Sequence, residues 1–224
     1  MDTQQLAERY ARVKAGIPSH VKLVAVSKTR TVEEIRGLYD LGHRAFGENY
    51  PQELRDKQPH LPADIEWHFI GHPQTNKVKY IAPFVHVVHA VDGPKVLDEL
   101  EKRASAADRS IDVLVQVHIA EEETKYGLDA NEARALVTGW DPARWPHLRS
   151  RGLMGMATNT DDRDRVRNEF AGLGQLFHSL QLDPRVDKVQ FTELSMGMTG
   201  DADLAIAAGS TMVRIGSAIF GDRA

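Results

Sequence analysis

The chain has 224 residues, 42% of them hydrophobic, and a formal net charge of −4. This length suits one domain with a sizeable core, and the small negative charge argues against a nucleic-acid partner. There are no cysteines, which excludes disulfides, thiol nucleophiles and thiolate metal sites and fits a cytoplasmic location. Residues 1–14 lack the apolar core of a signal peptide, and no segment approaches the roughly 18 apolar residues of a membrane span. We therefore expect a cytoplasmic protein without a membrane or nucleic-acid partner.

Eight short apolar segments alternate with helical patterns along the whole chain. Near-continuous apolar segments are typical of parallel strands that are buried on both faces. The predicted strands span residues 21–28, 43–48, 66–71, 85–91, 112–119, 152–157, 191–196 and 212–219.

The segments between these strands carry helix signals. Thr31 and Glu34 have the spacing of a capping box. Asp92 is expected to cap another helix, with Pro94 in its first turn. Two apolar stripes at helical spacing predict buried helix faces. These stripes are Val96, Leu97, Leu100 and Ala104, and Val166, Phe170, Leu173, Phe177 and Leu180.

The order of these elements predicts the fold. Strict alternation of strands and helices favours parallel strands joined by right-handed crossovers. Eight strands then predict an α/β protein with a single (β/α)8 TIM barrel over residues 1–224, and an open doubly wound sheet is the alternative. No helix is predicted after the eighth strand, so an N-terminal helix is expected to cover the seam of the barrel. That helix is centred on Leu6, Tyr10, Val13 and Ile17.

Several chemically useful residues fall at the predicted carboxyl ends of the strands, where TIM barrels place their active sites. Lys28 ends the first strand, and Glu48 and Asn49 end the second. A lysine amine reacts with aldehydes and ketones in its unprotonated form, which a partly desolvated site favours. Lys28 is therefore a candidate for imine formation, and a simple rim lysine is the alternative.

A second candidate is the segment 195–200 (SMGMTG), which precedes a short helix predicted near Asp201. Small residues allow backbone N–H groups to approach a phosphate at a helix start. TIM barrels often hold phosphate in the loops after strands seven and eight. An ordinary helix cap formed by Thr199 or Asp201 is the alternative.

Other site types receive less support. His68 and His72 are predicted on a strand and the loop after it, so we interpret them as packed or solvated histidines and predict no metal site. The chain contains no dinucleotide or ATP-binding glycine pattern and no nucleophile elbow.

Seven blocks in the right order resemble the pyridoxal-phosphate homeostasis protein family, over roughly residues 21–221. The blocks are VAVSKT (24–29), FGENYPQE (46–53), EWHFIG with NK following (66–71, 76–77), KYGL (125–128), RGLMGMA (151–157), ELSMGMTGD (193–201) and AIAAGSTMVRIGSAIFG (205–221). Pro73 stands where the family usually has leucine, and Thr75 and Thr199 stand where it commonly has serine. The resemblance implies a TIM barrel similar to the N-terminal domain of alanine racemases.

The resemblance also implies a cofactor and its contacts. The lysine of the VSKT block carries pyridoxal 5'-phosphate (PLP) as a Schiff base in the family, which implies Lys28 here. Thr199 stands fifteen positions before Arg214, as in the racemases, where the hydroxyl binds the phosphate and the arginine meets the pyridine nitrogen. Gly216 and Ser217 are implied as further phosphate contacts. The implied wall of the pocket is Asn49, His68, Ser195 and Met196.

An arginine at the pyridine nitrogen disfavours a protonated ring and so weakens PLP as an electron sink. Racemases with this arginine use a tyrosine from an extra β-domain, and this sequence ends at Ala224, soon after the eighth strand. We therefore expect a PLP-binding protein that acts in vitamin B6 homeostasis and has little catalytic activity. No residue is predicted to be catalytic.

The resemblance implies that the protein holds PLP and delivers it to apo-enzymes. A monomer is expected for a barrel without the racemase dimer domain. The rivals are a PLP-dependent amino-acid racemase or lyase, and a Schiff-base aldolase that uses Lys28 directly.

Overall fold

The computed structural model describes residues 3–221. Its eight parallel strands form a closed barrel in chain order, and the last strand pairs with the first. The strands are β1 (Lys22–Val26), β2 (Ala45–Glu48), β3 (Glu66–Phe69), β4 (Val87–Val91), β5 (Ile111–His118), β6 (Leu148–Met156), β7 (Glu193–Ser195) and β8 (Met212–Ile215). The predicted TIM barrel is therefore confirmed, and the open sheet is excluded.

Helices surround the barrel and bury their apolar stripes against it. They are α1 (Thr3–Ala15), α2 (Val32–Asp40), α3 (Pro51–Lys57), a 3-10 turn (Gln58–His60), α4 (Thr75–Val78), α5 (Pro94–Ala106), α6 (Ala130–Thr138), α7 (Arg163–Gln181), α8 (Ala202–Ala207) and α9 (Ser217–Phe220). Both predicted stripes, on α5 and α7, are buried. Over residues 3–221, no helix combines the length and apolar character needed to cross a membrane.

The two predicted helix caps have different outcomes. The Thr31 capping box is confirmed, because the Glu34 N–H donates to Thr31 Oγ1 at 3.2 Å and the Thr31 N–H donates to Glu34 Oε2 at 2.7 Å. The prediction that Asp92 caps α5 is wrong, because Gly93 is the N-cap residue. The Asp92 carboxylate instead lies 3.3 Å from His72 Nδ1.

The prediction that no helix follows the eighth strand is also wrong. Gly216 leaves strand geometry, with φ −120° and ψ −72°, and the next four residues form α9. Ile219, which the predicted strand 212–219 included, is buried together with Phe220 on this turn of helix. Arg9 Nε of α1 donates to the Ile219 carbonyl at 3.0 Å. Because α1 packs against α9 and α2, it covers the β8–β1 seam as expected.

Strand β6 begins earlier than predicted, at Leu148 rather than at residue 152. Its pairing with β5 shifts register between Val113 and Leu114. At this irregularity Gly152 has φ +156°, and an added Cβ would lie 1.7 Å from the Glu193 carbonyl oxygen. Only glycine fits this close approach to β7.

Candidate functional site

A cavity of about 280 Å³ opens at the carboxyl ends of β1 and β8. Its lining consists of Val26, Lys28, Arg30, Met198, Thr199, Gly200, Arg214, Gly216 and Ser217. The structure thus brings together five residues that the sequence singled out: Lys28, Thr199, Arg214, Gly216 and Ser217. A larger cavity of about 480 Å³ lies beside Trp140 and Trp145, near the amino ends of β5 and β6. TIM barrels place their active sites at the opposite, carboxyl ends.

Lys28 lies in a turn directly after β1, and its side chain is half-buried. The next residue, Thr29, has a left-handed backbone with φ +64°, a conformation that a β-branched residue rarely adopts. The turn is held on both sides of the lysine. The Ser27 N–H donates to the Gly47 carbonyl at 2.9 Å, and the Thr29 N–H donates to Glu53 Oε1 at 2.6 Å.

Beneath this turn lies a polar cluster that we name the outer cluster: Ser27, Glu48, Glu53 and Lys57. Lys57 Nζ lies 2.9 Å from Glu48 Oε1 and 2.5 Å from Glu53 Oε1, and it donates to the Ser27 carbonyl at 2.9 Å. Ser27 Oγ donates to Glu48 Oε1 at 2.6 Å. Burial raises the pKa of Glu48, while Lys57 opposes the shift. The outer cluster therefore ties α3 to the residues that flank Lys28.

Two hydroxyls lie on the other side of the cavity. Ser217 Oγ and Thr199 Oγ1 are 3.4 Å apart, although Thr199 lies in the loop after β7 and Ser217 begins α9 after β8. At Gly216 an added Cβ would lie 3.1 Å from the Val26 carbonyl oxygen, so the glycine keeps this side of the cavity open. The Met198 N–H donates to Asp201 Oδ1 at 2.5 Å, which fixes the Thr199 loop. The two hydroxyls can donate to an anion such as a phosphate.

Arg214 supplies a buried cation to the cavity. Its Nη1 donates to Ser195 Oγ at 2.6 Å and its Nη2 to the Gly155 carbonyl at 3.0 Å. Burial lowers the pKa of Arg214 to about 10, so the guanidinium stays protonated at neutral pH. Within residues 3–221, no ion pair joins Arg214 to a carboxylate. A ligand atom that accepts a hydrogen bond would suit this position.

The remaining predicted site residues lie farther from Lys28. Ser195 and Met196 are buried, and Ser195 reaches the site through its bond to Arg214. His68 lies inside the barrel, with its Nδ1 2.8 Å from His89 Nε2. Asn49 lines a neighbouring cavity of about 330 Å³, together with Tyr126. His68 and Asn49 therefore do not line the cavity around Lys28.

Sequence reasoning missed several residues of the site. Met198 and Gly200 lie within the SMGMTG segment, and Arg30 is two residues beyond Lys28, so proximity along the chain was an available signal. The contact between Lys57 and Glu53 had a weaker signal in the sequence, because an acidic and a basic residue four positions apart can pair on one face of a helix. Among residues 3–221, no group of three His, Asp or Glu side chains is placed to hold a metal ion.

Comparison with known proteins places this barrel in a class. The family model of the alanine racemase N-terminal domain matches residues 1–224. The pyridoxal phosphate homeostasis protein of Pasteurella multocida is 42% identical over 210 residues, which cover 92% of this chain and 88% of that protein. The chain therefore belongs to the pyridoxal phosphate homeostasis protein family, within the wider class of alanine racemase N-terminal domains.

Two solved structures of PipY from Synechococcus elongatus are also similar to this chain. The structure without PLP has a TM-score of 0.88 and 33% identity, and the match covers 96% of this chain and 100% of that chain. The structure with PLP bound has a TM-score of 0.85 and 32% identity, with the same coverage of both chains. The predicted family and fold are thereby confirmed.

Proposed function

We propose that this protein binds PLP in the cavity at Lys28 and acts in intracellular PLP homeostasis. The observation that carries the proposal is the grouping of three functions in one cavity: the Lys28 amine, the buried Arg214 cation, and the Thr199 and Ser217 hydroxyls. They match an aldehyde, a pyridine nitrogen and a phosphate. The names of the relatives and the PLP bound to PipY support the same ligand.

Each part of the cavity has a role in this proposal. Lys28 would hold the aldehyde covalently as a Schiff base, because its amine is the nucleophile of the cavity. Thr199, Ser217 and the backbone at Gly216 would bind the phosphate. Arg214 would donate to the pyridine nitrogen, since a guanidinium has donors and no acceptor. Met198 would cover the ring, because it lines the same cavity.

The residues around Lys28 favour binding of the cofactor without substantial catalysis. When bound, PLP supplies an electron-withdrawing ring that can stabilise a developing carbanion. Arg214 remains protonated and cannot accept a proton from the ring nitrogen, so it favours the unprotonated ring. The unprotonated ring is the weaker electron sink, and substantial racemase or lyase turnover is not expected. Storage of PLP and its release to apo-enzymes follow as the proposed role.

The proposal is tested by the absorbance spectrum of the purified protein with added PLP, before and after borohydride. A yellow band that borohydride bleaches is expected, with the pyridoxyl group found on Lys28 by peptide mass spectrometry. Lys28→Ala should lose the band, whereas Lys102→Ala, at an exposed lysine of α5, should keep it. A protein that gains no band with added PLP would contradict the proposal.

The rival functions give different outcomes with the same protein. A racemase or lyase would convert an amino acid with repeated turnover, measured by chiral chromatography. An aldolase would be colourless, and borohydride would trap a phosphorylated carbonyl substrate on Lys28. Delivery is tested by the recovery of activity in an apo-enzyme mixed with the PLP-loaded protein. The monomeric state and the cytoplasmic location stay predictions, which light scattering and cell fractionation can test.

A further inference from the structure

Four buried polar side chains from four strands form a continuous chain of contacts inside the barrel. Arg214 Nη1 on β8 donates to Ser195 Oγ at the end of β7, at 2.6 Å. Ser195 Oγ lies 3.0 Å from His89 Nδ1 on β4, and His89 Nε2 lies 2.8 Å from His68 Nδ1 on β3. Strands β4 and β7 are not neighbours, so the middle contact crosses the barrel. We name these four residues the interior chain.

The interior chain ends near an ion pair at the opposite face of the barrel. His68 Nε2 faces Glu66 Oε2 at 3.8 Å, and Glu66 Oε2 accepts from Lys22 Nζ at 3.0 Å. Lys22 and Glu66 are the first residues of β1 and β3. They therefore mark the amino ends of the strands, whereas Arg214 lies beside the Lys28 cavity. The chain connects the cavity with the far face.

The arginine fixes the direction of the first bonds. A guanidinium only donates, so Ser195 Oγ accepts from Arg214. Among the described residues, His89 Nδ1 is the other polar group within hydrogen-bond distance of Ser195 Oγ. When the serine O–H donates to it, His89 Nδ1 carries no proton. Neutral His89 then carries its proton on Nε2 and donates to His68 Nδ1.

The Glu66 carboxylate favours the same direction of hydrogen-bond donation at the His68 end of the interior chain. With Nδ1 accepting from His89, neutral His68 carries its proton on Nε2, which faces the Glu66 carboxylate. The reverse direction would place an imidazole lone pair against that carboxylate. It would also leave the buried Ser195 O–H without an acceptor, a state that costs free energy. This direction therefore gives each contact from Arg214 to His68 Nδ1 one donor and one acceptor, and it leaves the buried His68 Nε2–H facing the Glu66 carboxylate at 3.8 Å without a hydrogen bond.

The electrostatic surroundings agree with neutral rings. Burial lowers the pKa of His68, and it lowers the pKa of His89 well below the ordinary value. His68 and Lys22 hold the pKa of Glu66 at about 2, so the far end stays a carboxylate. The interior chain thus has a cation at one end, an anion near the other, and two neutral imidazoles between them.

We propose that His89, with its ring proton on Nε2, is a positioning residue that orients Ser195 and through it holds Arg214 in the cavity. The O–H of Ser195 is committed to His89, so it does not turn toward the cavity. Arg214 is then the donor that meets a ligand there. The consequence for PLP rests on the proposed function, whereas the position of the ring proton and the hold on Arg214 do not.

The first test uses ligand-free protein labelled with 15N in histidine and arginine side chains. Nuclear magnetic resonance distinguishes protonated from unprotonated ring nitrogens, and His68→Gln and His89→Gln assign the signals. Both rings are expected to carry the proton on Nε2. The Nη1 and Nη2 groups of Arg214 should give separate signals, because both are bonded, and should coalesce in His89→Leu.

The second test measures PLP affinity and the absorbance band in matched variants. His89→Leu removes the acceptor for Ser195, and roughly tenfold weaker binding with a shifted band is expected. His89→Gln offers an acceptor and a donor, so it should recover most of the affinity. His43→Leu is the control, because His43 is also buried but bonds to Tyr10 and the Ala45 carbonyl. It should lose stability and keep both the affinity and the band.

The outcomes separate this inference from the proposed function. A proton on Nδ1 of His89, or a charged ring at neutral pH, overturns the inference whatever PLP does. Separate Arg214 signals that persist in His89→Leu overturn the positioning role. A wild-type protein that does not bind PLP contradicts the proposed function instead, and the ligand-free spectra still decide whether His89 holds Arg214.

Discussion

Two polar systems support the same cavity in different ways. The outer cluster stabilises the Lys28 turn with full charges, since Lys57 lies between the carboxylates of Glu48 and Glu53. The interior chain supports Arg214 with neutral groups, since both histidines are buried and uncharged. One system lies against helix α3, and the other lies inside the barrel.

This difference predicts how substitutions in each system should affect the protein. Removal of one partner from a buried ion pair leaves an uncompensated charge, which costs several kcal/mol. Removal of one link from a neutral chain leaves an unsatisfied dipole, which costs less. We therefore expect changes in the outer cluster to act mainly on stability, and changes in the interior chain to act mainly on the cofactor.

The largest effect is expected for Lys57→Met. It leaves the fully buried Glu48 carboxylate without its cation, so the free energy of unfolding should fall by about 3–5 kcal/mol. Urea unfolding followed by circular dichroism measures the change. The double variant Glu48→Leu with Lys57→Met should recover a large part of it. A single variant as stable as the wild type would contradict the account of the outer cluster.

Acid is expected to lower the stability of the fold, because the buried neutral histidines resist protonation in the folded protein. Burial lowers the pKa of His43 from 6.5 to about 4, so the unfolded chain takes up the proton first as the pH falls. Its contribution to stability is complete above pH 6.5 and is lost as the pH falls toward 4, roughly 3 kcal/mol in all. Burial also lowers the pKa of His68 and of His89, so their contributions to stability are likewise lost as the pH falls. Urea unfolding between pH 6.5 and 4.5 should show the loss, and His43→Gln should flatten it.

The outer cluster has the opposite response to pH. Burial raises the pKa of Glu48 above 4.5, so this carboxyl destabilises the fold as the pH rises through that value. Glu48→Gln should therefore reduce stability less at neutral pH than in acid. An equal loss of stability at both pH values would contradict a raised pKa of Glu48 in the folded protein.

Arg214→Lys is expected to have an intermediate effect, on the cofactor. A lysine keeps the charge but cannot reproduce the planar pair of bonds to Ser195 and Gly155. PLP binding should weaken by about 2 kcal/mol, and the absorbance band should shift, as titration with PLP would measure. An unchanged affinity would show that the arginine does not meet the cofactor.

The smallest effect is expected at Thr199, which belongs to neither polar system. Thr199→Val removes a hydroxyl from the exposed side of the cavity, and PLP affinity should fall roughly fivefold. Thr199→Ser keeps the hydroxyl and should bind as the wild type does. Because pyridoxal lacks the phosphate, its binding should be the same in all three proteins. A loss of pyridoxal binding in Thr199→Val would place the hydroxyl elsewhere on the ligand.

Much of this arrangement could be predicted from the sequence. The eight apolar segments predicted the barrel because each strand of a parallel sheet is buried on both faces. Helix α9 was missed because the apolar Ile219 was included in the predicted eighth strand, and only the backbone at Gly216 separates the two elements. Asp92 resembled a helix cap, yet Gly93 is the N-cap residue and the Asp92 carboxylate lies 3.3 Å from His72 Nδ1.

The site was predictable where it depends on local sequence. Lys28, Thr199 and Arg214 follow from strand ends, a glycine-rich loop and family spacing. The interior chain was not predictable, because the contact between His89 and Ser195 crosses the barrel between strands that do not pair. His68 was assigned to the pocket wall on the family resemblance alone, whereas its contact with His89 depends on the closed barrel. Only the closed barrel brings His68 to His89 and, through Ser195, to Arg214.

The most direct test of the central claim is a crystal structure of the protein grown with PLP. The account predicts density continuous from Lys28 Nζ to the cofactor, the phosphate on the Thr199 and Ser217 hydroxyls, and Arg214 against the ring nitrogen with its bond to Ser195 intact. PLP attached to another lysine, or a ring turned away from Arg214, would contradict it.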